Sequence, residues 1–363
     1  MNPQDRERWR KYGHGIGKSS TTGSSYALAA SVAPDRRFAS FFRQVTPDGG
    51  GLPPHTATDK RLKGLTIDQI NDCFKQIGAA DGIMHETKRE DGQVPAGYTF
   101  LGQFLDHDIT LEQVSSLDDE TVDFDGLHNT RSPALDLDSL YHHGPDGPDA
   151  GNIYEKDETG KCIGKFLIRE VKAADGTNFH DLPRDAEGKA HIGDHRNDEN
   201  LIISQLHLAF LKFHNRLYQA LEEAGVTDEA KLFADTHKNV IYYYHKMIVD
   251  DFLPRVIGSQ LLADLLDDTS SRKPRYFIPT TADEVYMPFE FSVAAYRYGH
   301  SQVRDSYPLN EHKSAELFQI GGFKRPETYV AWRYFFETDR THGPVKGSLI
   351  DTILPANLLA LPF

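Results

Sequence analysis

Cysteine is nearly missing from this chain: Cys73 and Cys162 are the only two in 363 residues. Two thiols cannot build a disulfide framework or a four-cysteine zinc site. No Asn-x-Ser/Thr sequon occurs, so nothing marks an N-glycosylated chain. No window offers about 18 uninterrupted apolar residues, and no membrane span is expected. The opening Met1-Asn-Pro-Gln-Asp-Arg-Glu-Arg-Trp-Arg10 lacks the apolar core of a signal peptide. Basic residues are in deficit, 40 against 54 acidic, for a net charge of −14. Such a chain is a poor partner for nucleic acid or anionic membrane.

What is present suffices for a sizeable core. Hydrophobic residues make up 39% before the 29 glycines are counted, which argues against wholesale disorder. The 17 histidines are many for this length and point towards metal or acid–base chemistry.

Residues 1–55 read as an extended or flexible arm. Gly13-His-Gly-Ile-Gly17, a Ser/Thr/Gly run and Gly49-Gly-Gly51 punctuate it. Residues 56–363 read as one catalytic domain. Leu65, Ile67, Ile70, Phe74 and Ile77 predict a helix over 65–77. A second helix is expected from Pro95, with Phe100, Leu101, Phe104, Leu105 and Ile109 on its apolar face. Residues 115–195 read as long loops with short strands. A long helix follows, marked by Ile202, Leu206, Phe210, Phe213, Leu217 and Leu221 and stopped by Gly225. Further helices are expected at 228–251 (followed by Pro254), 258–267, 289–302 and 326–336. The expected fold is mostly α-helical.

Four stretches could carry chemistry. Asp106-His107-Asp108 interrupts an apolar helix. Helical neighbours point about 100° apart, so at least one of the three faces inward and needs a partner. It is a solvated face, a satisfied core histidine or a functional group. Arg196 and Glu199 stand three apart at the mouth of the long helix, as an exposed ion pair or as part of a site. His300 lies in an aromatic segment directly after Gly299, where something flat could approach the backbone. In Ser132-Pro-Ala134-Leu-Asp136-Leu-Asp138, alternate residues of an extended loop share a side and offer oxygen ligands for calcium. The EF-hand pattern fails there. Counting from Asp136, position six is Tyr141 and position twelve is Gly147.

Taken in order, Leu101-Gly-Gln-Phe-Leu-Asp-His-Asp108, Arg196-Asn-Asp-Glu199, Leu206-His, His214-Asn-Arg216 and Tyr296-Arg-Tyr-Gly-His300 resemble the successive motifs of animal-type haem peroxidases. The likeness runs from about residue 90 to 354 and looks like a bacterial member of the peroxidase–cyclooxygenase superfamily. It implies a haem-centred, mostly α-helical fold with long irregular loops and little β-structure.

The resemblance also implies roles. His107 matches the distal histidine, which shuttles a proton between the oxygens of hydrogen peroxide. Arg196 matches the distal arginine, and Gln103 a distal-pocket glutamine. His300 matches the proximal iron ligand, whose electron donation assists a ferryl species. Asp106 and Glu199 match the carboxylates that form ester bonds to haem b. The residue after that glutamate is Asn200, so the sulfur link of mammalian myeloperoxidase is not expected. Arg297 matches a partner of a haem propionate. Asp108, Ser132, Ala134 (through its carbonyl), Asp136 and Asp138 match a Ca2+ site that would fix His107. The expected substrates are hydrogen peroxide and a small phenolic or halide donor; oligomeric state is left open. Without a signal peptide the expected compartment is the cytoplasm, or the outside by leaderless export; an extracellular place rests on family analogy alone.

One departure stands out. The family's proximal histidine donates its second N–H to an asparagine beyond the stretch seen here as Asp351-Thr352-Ile353-Leu354 to Leu361-Pro362. No counterpart follows, so the domain reads as C-terminally incomplete. Three rival readings are a fatty-acid oxygenase, a metal-dependent phosphohydrolase using His107, Asp108 and His85, and a non-catalytic haem-binding chain. The first places a tyrosine three residues before the proximal histidine, where this chain has Arg297.

Overall fold

A computed structural model of the chain describes residues 38–39, 66–111 (without 78, 80–81 and 85–89), 129–266 (without 174), 274–276, and 285–350 (without 322–324 and 339–342). The arm over 1–55, apart from Phe38 and Ala39, and the stretch 351–363 lie outside the described residues. So does His85.

The molecule is mostly helical. Strands occur as two-stranded pairs. β1 (Phe38–Ala39) runs parallel to β7 (Met287–Pro288). α1 (Ile67–Ile77) lies within the expected 65–77. Thr66 and Gln69 cap it reciprocally, side chain to backbone N–H each way. β2 (Asp91–Pro95) pairs antiparallel with β10 (Lys346–Ser348). Pro95 therefore closes a strand rather than opening a helix.

α2 (Gly97–Ile109) follows after one residue. Every residue of it except Gln103 is buried. A helix buried nearly all round lies inside a core, and α2 is the central rod here. Its start packs so closely on the 335–336 backbone and ring that a Cβ on Gly97 would lie 2.5 Å from the Phe335 carbonyl oxygen.

α3 (Leu201–Glu223) is the long helix. The Asn200 side chain accepts from the N–H groups of Ile202 and Ile203. Gly225, at φ +96°, ends it as expected. α4 (Glu229–Met247) is capped by Asp228. It then runs on through a wide turn, Ile248–Phe252, into Leu253–Ile257. Pro254 thus does not stop the chain's helical course. It sits in the first turn of the last segment, where a missing N–H costs nothing. α2, α3 and α4 share one core: Phe104 stacks on Phe210 at 4.7 Å and meets the Tyr244 ring edge-on.

The middle section is loops and hairpins, as expected. β3 (Tyr154–Lys156) pairs with β4 (Cys162–Phe166), and β5 (Arg169–Lys172) with β6 (Asn178–Asp181). β8 (Ser306–Pro308) and β9 (Ser314–Glu316) form a third hairpin.

Two expected helices fail. The one over 289–302 is broken into Phe289–Ser292, a tight turn Ala295–Tyr298 and Gly299–Gln302. The break comes at Ala294 (φ −128°, ψ −73°), and the Arg297 side chain takes the Ser292 carbonyl. The one over 326–336 is largely extended, with a single turn at Trp332–Tyr334. Its backbone groups bond elsewhere: Ala331 N–H to the Leu309 carbonyl, and the Asn310 amide to the Tyr329 carbonyl. Its aromatic residues instead fill a second core with Phe100 and Tyr307. The expected helix over 258–267 appears as Ser259–Leu265. Among the described residues no helix is long and apolar enough to cross a membrane.

Candidate active site

α2 carries Gln103, Asp106, His107 and Asp108. Its burial forces each of them towards a partner. His107 Nδ1 lies 2.8 Å from Asn197 Oδ1. A carboxamide oxygen only accepts, so Nδ1 carries the proton and Nε2 keeps its lone pair. The Asn197 amide nitrogen is then 3.1 Å from Nδ1 of His207. His207 and Asn197 are both 0% exposed. Among the described residues Nε2 of His207 has no hydrogen-bond partner. Burial, then the Arg196 charge, lowers the His107 pKa to about 4. Burial lowers that of His207 to about 3. Both rings are neutral at pH 7.

Arg196 and Glu199 sit on and just after a tight turn, His195–Asp198, directly before α3. They do not pair with each other. Arg196 is gripped by Asp194 through Nε to Oδ1 (3.0 Å) and Nη2 to Oδ2 (2.7 Å), and Nη2 also reaches the His107 carbonyl. Nη1 makes no hydrogen bond among the described residues. Glu199 accepts a hydrogen bond from Gln103. Burial raises the Glu199 pKa.

The turn itself is anchored by Arg184, which forks onto Asp198 (both contacts 2.7 Å) and onto Asp181. Removing one partner of such a buried pair leaves an uncompensated charge.

Asp106 faces the broken segment. Its Oδ1 accepts from the Thr110 hydroxyl and its Oδ2 from Arg297, at 3.1 Å. Burial raises its pKa, with Arg297 as the main opposing influence. Arg297, expected beside a haem propionate, is thus placed against Asp106. His300 is exposed, and its Nδ1 lies 2.9 Å from the Arg297 carbonyl. A carbonyl only accepts, so Nδ1–H donates, which in the neutral ring leaves the lone pair on Nε2.

The acidic loop curls rather than running extended. Leu135 and Leu137 both have positive φ. The carboxylates of Asp108, Asp136 and Asp138 converge so that one oxygen of each lies within 4.8 Å of the others. Ser132 and Ala134 bond within the loop: Ser132 N–H to Asp138, and Ala134 N–H to the Ser132 hydroxyl. Burial and the neighbouring Asp138 raise the Asp108 pKa to about 7. Arg131 contacts Asp138 and Asp194. Asp194 therefore links the acidic loop to Arg196.

His107 and Asp108 diverge. The first bonds Asn197; the second accepts from the Ser139 hydroxyl, the Leu137 N–H and the Tyr244 hydroxyl. A metal-dependent phosphohydrolase needs those two side chains on one ion, so that reading is dropped.

Sequence reasoning missed Asp194, Asn197, His207 and Arg131. Two of them lay inside quoted motifs. Asn197 directly follows Arg196, and His207 is a lone imidazole on an apolar helix.

The profile of the animal haem peroxidase family matches residues 157–354, more than half of the chain. The chain belongs to the animal haem peroxidase family. A peroxidase-like protein of Margaritifera margaritifera is 36% identical over 159 residues, which is 41% of this chain and 18% of that protein. A peroxidasin homologue of Caenorhabditis elegans is 23% identical over 87% of this chain and 24% of its own length. The chain spans a quarter or less of the curated relatives it matches. Among solved structures, peroxidase A from Dictyostelium discoideum superposes with a TM-score of 0.51 at 16% identity, covering 93% of this chain and 71% of that one. A fatty acid alpha-dioxygenase from Oryza sativa gives 0.52 at 14% identity, covering 99% and 71%. At these identities the two share the fold with this chain.

Proposed function

We propose that the chain is a haem peroxidase that reduces hydrogen peroxide and oxidises small phenolic or halide donors. The observation that carries this is the hydrogen-bond pattern of two histidines. His107 and His300 each commit Nδ1–H to an oxygen acceptor, which in the neutral ring leaves the lone pair on Nε2. His300 then suits an iron, and His107 suits a proton. The donor set fits haem: an imidazole, two carboxylates of raised pKa and a cation (Arg297) lie together, because Arg297 and His300 both act on Asp106.

His300 would hold the haem iron. Bound haem would supply the redox-active metal at which peroxide is cleaved. His107, neutral at pH 7, accepts a proton from one peroxide oxygen on Nε2 and returns it to the departing oxygen. Arg196, held by Asp194, stabilises the negative charge that develops as the O–O bond lengthens. Gln103 keeps the Glu199 carboxylate in place. Asp106 and Glu199 would attach the cofactor covalently. An ester at Asp106 removes the charge that Arg297 now pairs and leaves Arg297 for a propionate. The position three residues before His300 is this paired arginine, which disfavours an oxygenase that needs a tyrosine there.

The deciding experiment adds haemin to the purified chain, removes the excess, then adds peroxide. The expected result is a Soret band that shifts and recovers with a phenol, and pigment that stays with the chain in denaturant after turnover. A folded chain that retains no haem would overturn the reading.

Calcium in the acidic loop belongs to the same proposal. Three carboxylates converge beside the Arg131–Asp138 ion pair, and an all-oxygen set suits a hard divalent ion. Saturating Ca2+ should add about 2.7 kcal/mol at a hundredfold excess over its dissociation constant. Dialysis against EGTA should accordingly lower the melting temperature. An unchanged melt would remove calcium from the account.

A further inference from the structure

The pair His142-His143 has no part in the site above. It follows the short helix Asp138–Tyr141, and the chain then turns back so that Asp149 precedes the next short helix, Ala150–Ile153. The imidazole centroids are 3.9 Å apart, with the rings at 49°. His142 Nε2 lies 3.5 Å from Asp149 Oδ2. One ligand atom from each of the three residues falls within 4.8 Å of the other two.

We propose that His142, His143 and Asp149 form a binding site for a divalent transition metal of the zinc class. Two imidazole nitrogens and one carboxylate oxygen are a borderline donor set, suited to zinc, copper or nickel rather than calcium. Three protein ligands leave a fourth position for water or an external group.

The backbone is shaped for this grouping. His142 adopts φ +51° and ψ −118°, a conformation unfavourable for any residue with a Cβ. Its N–H is fixed on the Asp138 carbonyl at 3.0 Å. Glycines make room on both sides. A Cβ on Gly147 would come within 2.5 Å of His143 Cβ, and one on Gly193 within 3.2 Å of His142 Cβ. An ordinary surface ion pair between His142 and Asp149 would be worth little and needs no second imidazole. A shared metal would use the unprotonated nitrogen of each imidazole as its ligand. The site touches neither His107 nor His300. It is tied to the acidic loop by the helix Asp138–Tyr141.

The test is equilibrium dialysis of the full chain against Zn2+ at pH 7.5 in calcium-containing buffer, with bound metal counted. His143 and Asp149 are exposed, so His143→Ala and Asp149→Asn should fold, and a melting curve checks that they do. One zinc per chain is expected. Loss of outer-shell partners alone typically costs 10–100-fold in metal affinity, so each ligand variant should bind at least about tenfold more weakly. Lowering the pH to 5.5 should release the metal. No stoichiometric zinc on the parent chain would overturn the proposal. So would variants that bind zinc as the parent does, which would place the metal on other histidines.

Discussion

Replacing His107 by alanine is expected to leave haem bound and to slow the peroxide-driven Soret change by about 10²–10⁴-fold, the usual worth of a positioned acid–base group. Haem retention should survive, because the iron ligand, His300, is on another segment. Asn197→Ala should give an intermediate loss. His107 would keep its ring but lose the acceptor that places the proton on Nδ1, and tautomers with a blocked Nε2 would become populated. Stopped-flow spectra at several peroxide concentrations separate the two variants. A His107→Ala rate equal to that of the parent would remove this residue from the proton transfer. An Asn197→Ala rate equal to the parent's would mean that the tautomer is fixed by something else.

A second large effect is expected from pH alone. His207 and His214 are fully enclosed, and burial lowers both pKa values to about 3. In His214, Nε2–H donates to the Gly164 carbonyl (2.7 Å), while Nδ1 lies 2.9 Å from the Tyr141 hydroxyl and accepts from it. Protonating Nδ1 would set two donors face to face. An unfolded histidine titrates near pH 6.5, whereas these stay neutral in the fold until about pH 3. Between those values the unfolded chain binds more protons, so stability is full above about pH 6.5 and falls as the pH drops. Each histidine contributes about 1.4 kcal/mol per pH unit. From pH 6.5 to 5 the pair should therefore cost about 4 kcal/mol. Asp108 works in the opposite sense when its carboxylate is free, because its folded pKa of about 7 is raised. Calcium-containing buffer is accordingly the cleaner condition. Urea unfolding at pH 7 and 5 measures the slope, and His214→Gln should reduce it by one histidine's share. A stability independent of pH across this window would mean that the rings are already charged or hydrated in the fold.

The motif residues were legible because their chemistry conflicts with their surroundings. Three polar residues in the Phe/Leu/Ile helix of α2 could not all face water. The 3.6-residue period demanded that at least one turn inward, and all three are buried. The long helix and its Gly225 stop were legible for the same local reason. The helices expected over 289–302 and 326–336 were not, because periodicity cannot reveal that the Ser292 carbonyl is taken by Arg297, or the Leu309 carbonyl by Ala331. Aromatic residues at helical spacing fill a core equally well from an extended chain.

The sequence by itself determined the composition class, the order of the motifs, the family and the residue types on offer: imidazoles, carboxylates and two arginines. Those follow from local pattern and from chemistry that few residues can supply. Tertiary structure alone decided which atoms of those residues remain free. Asp194 grips Arg196, and Asn197 sets the His107 tautomer. The Arg297 carbonyl takes the second N–H of His300. Hydrogen bonds between residues up to 90 positions apart depend on distance and direction in space, and spacing along the chain carries neither.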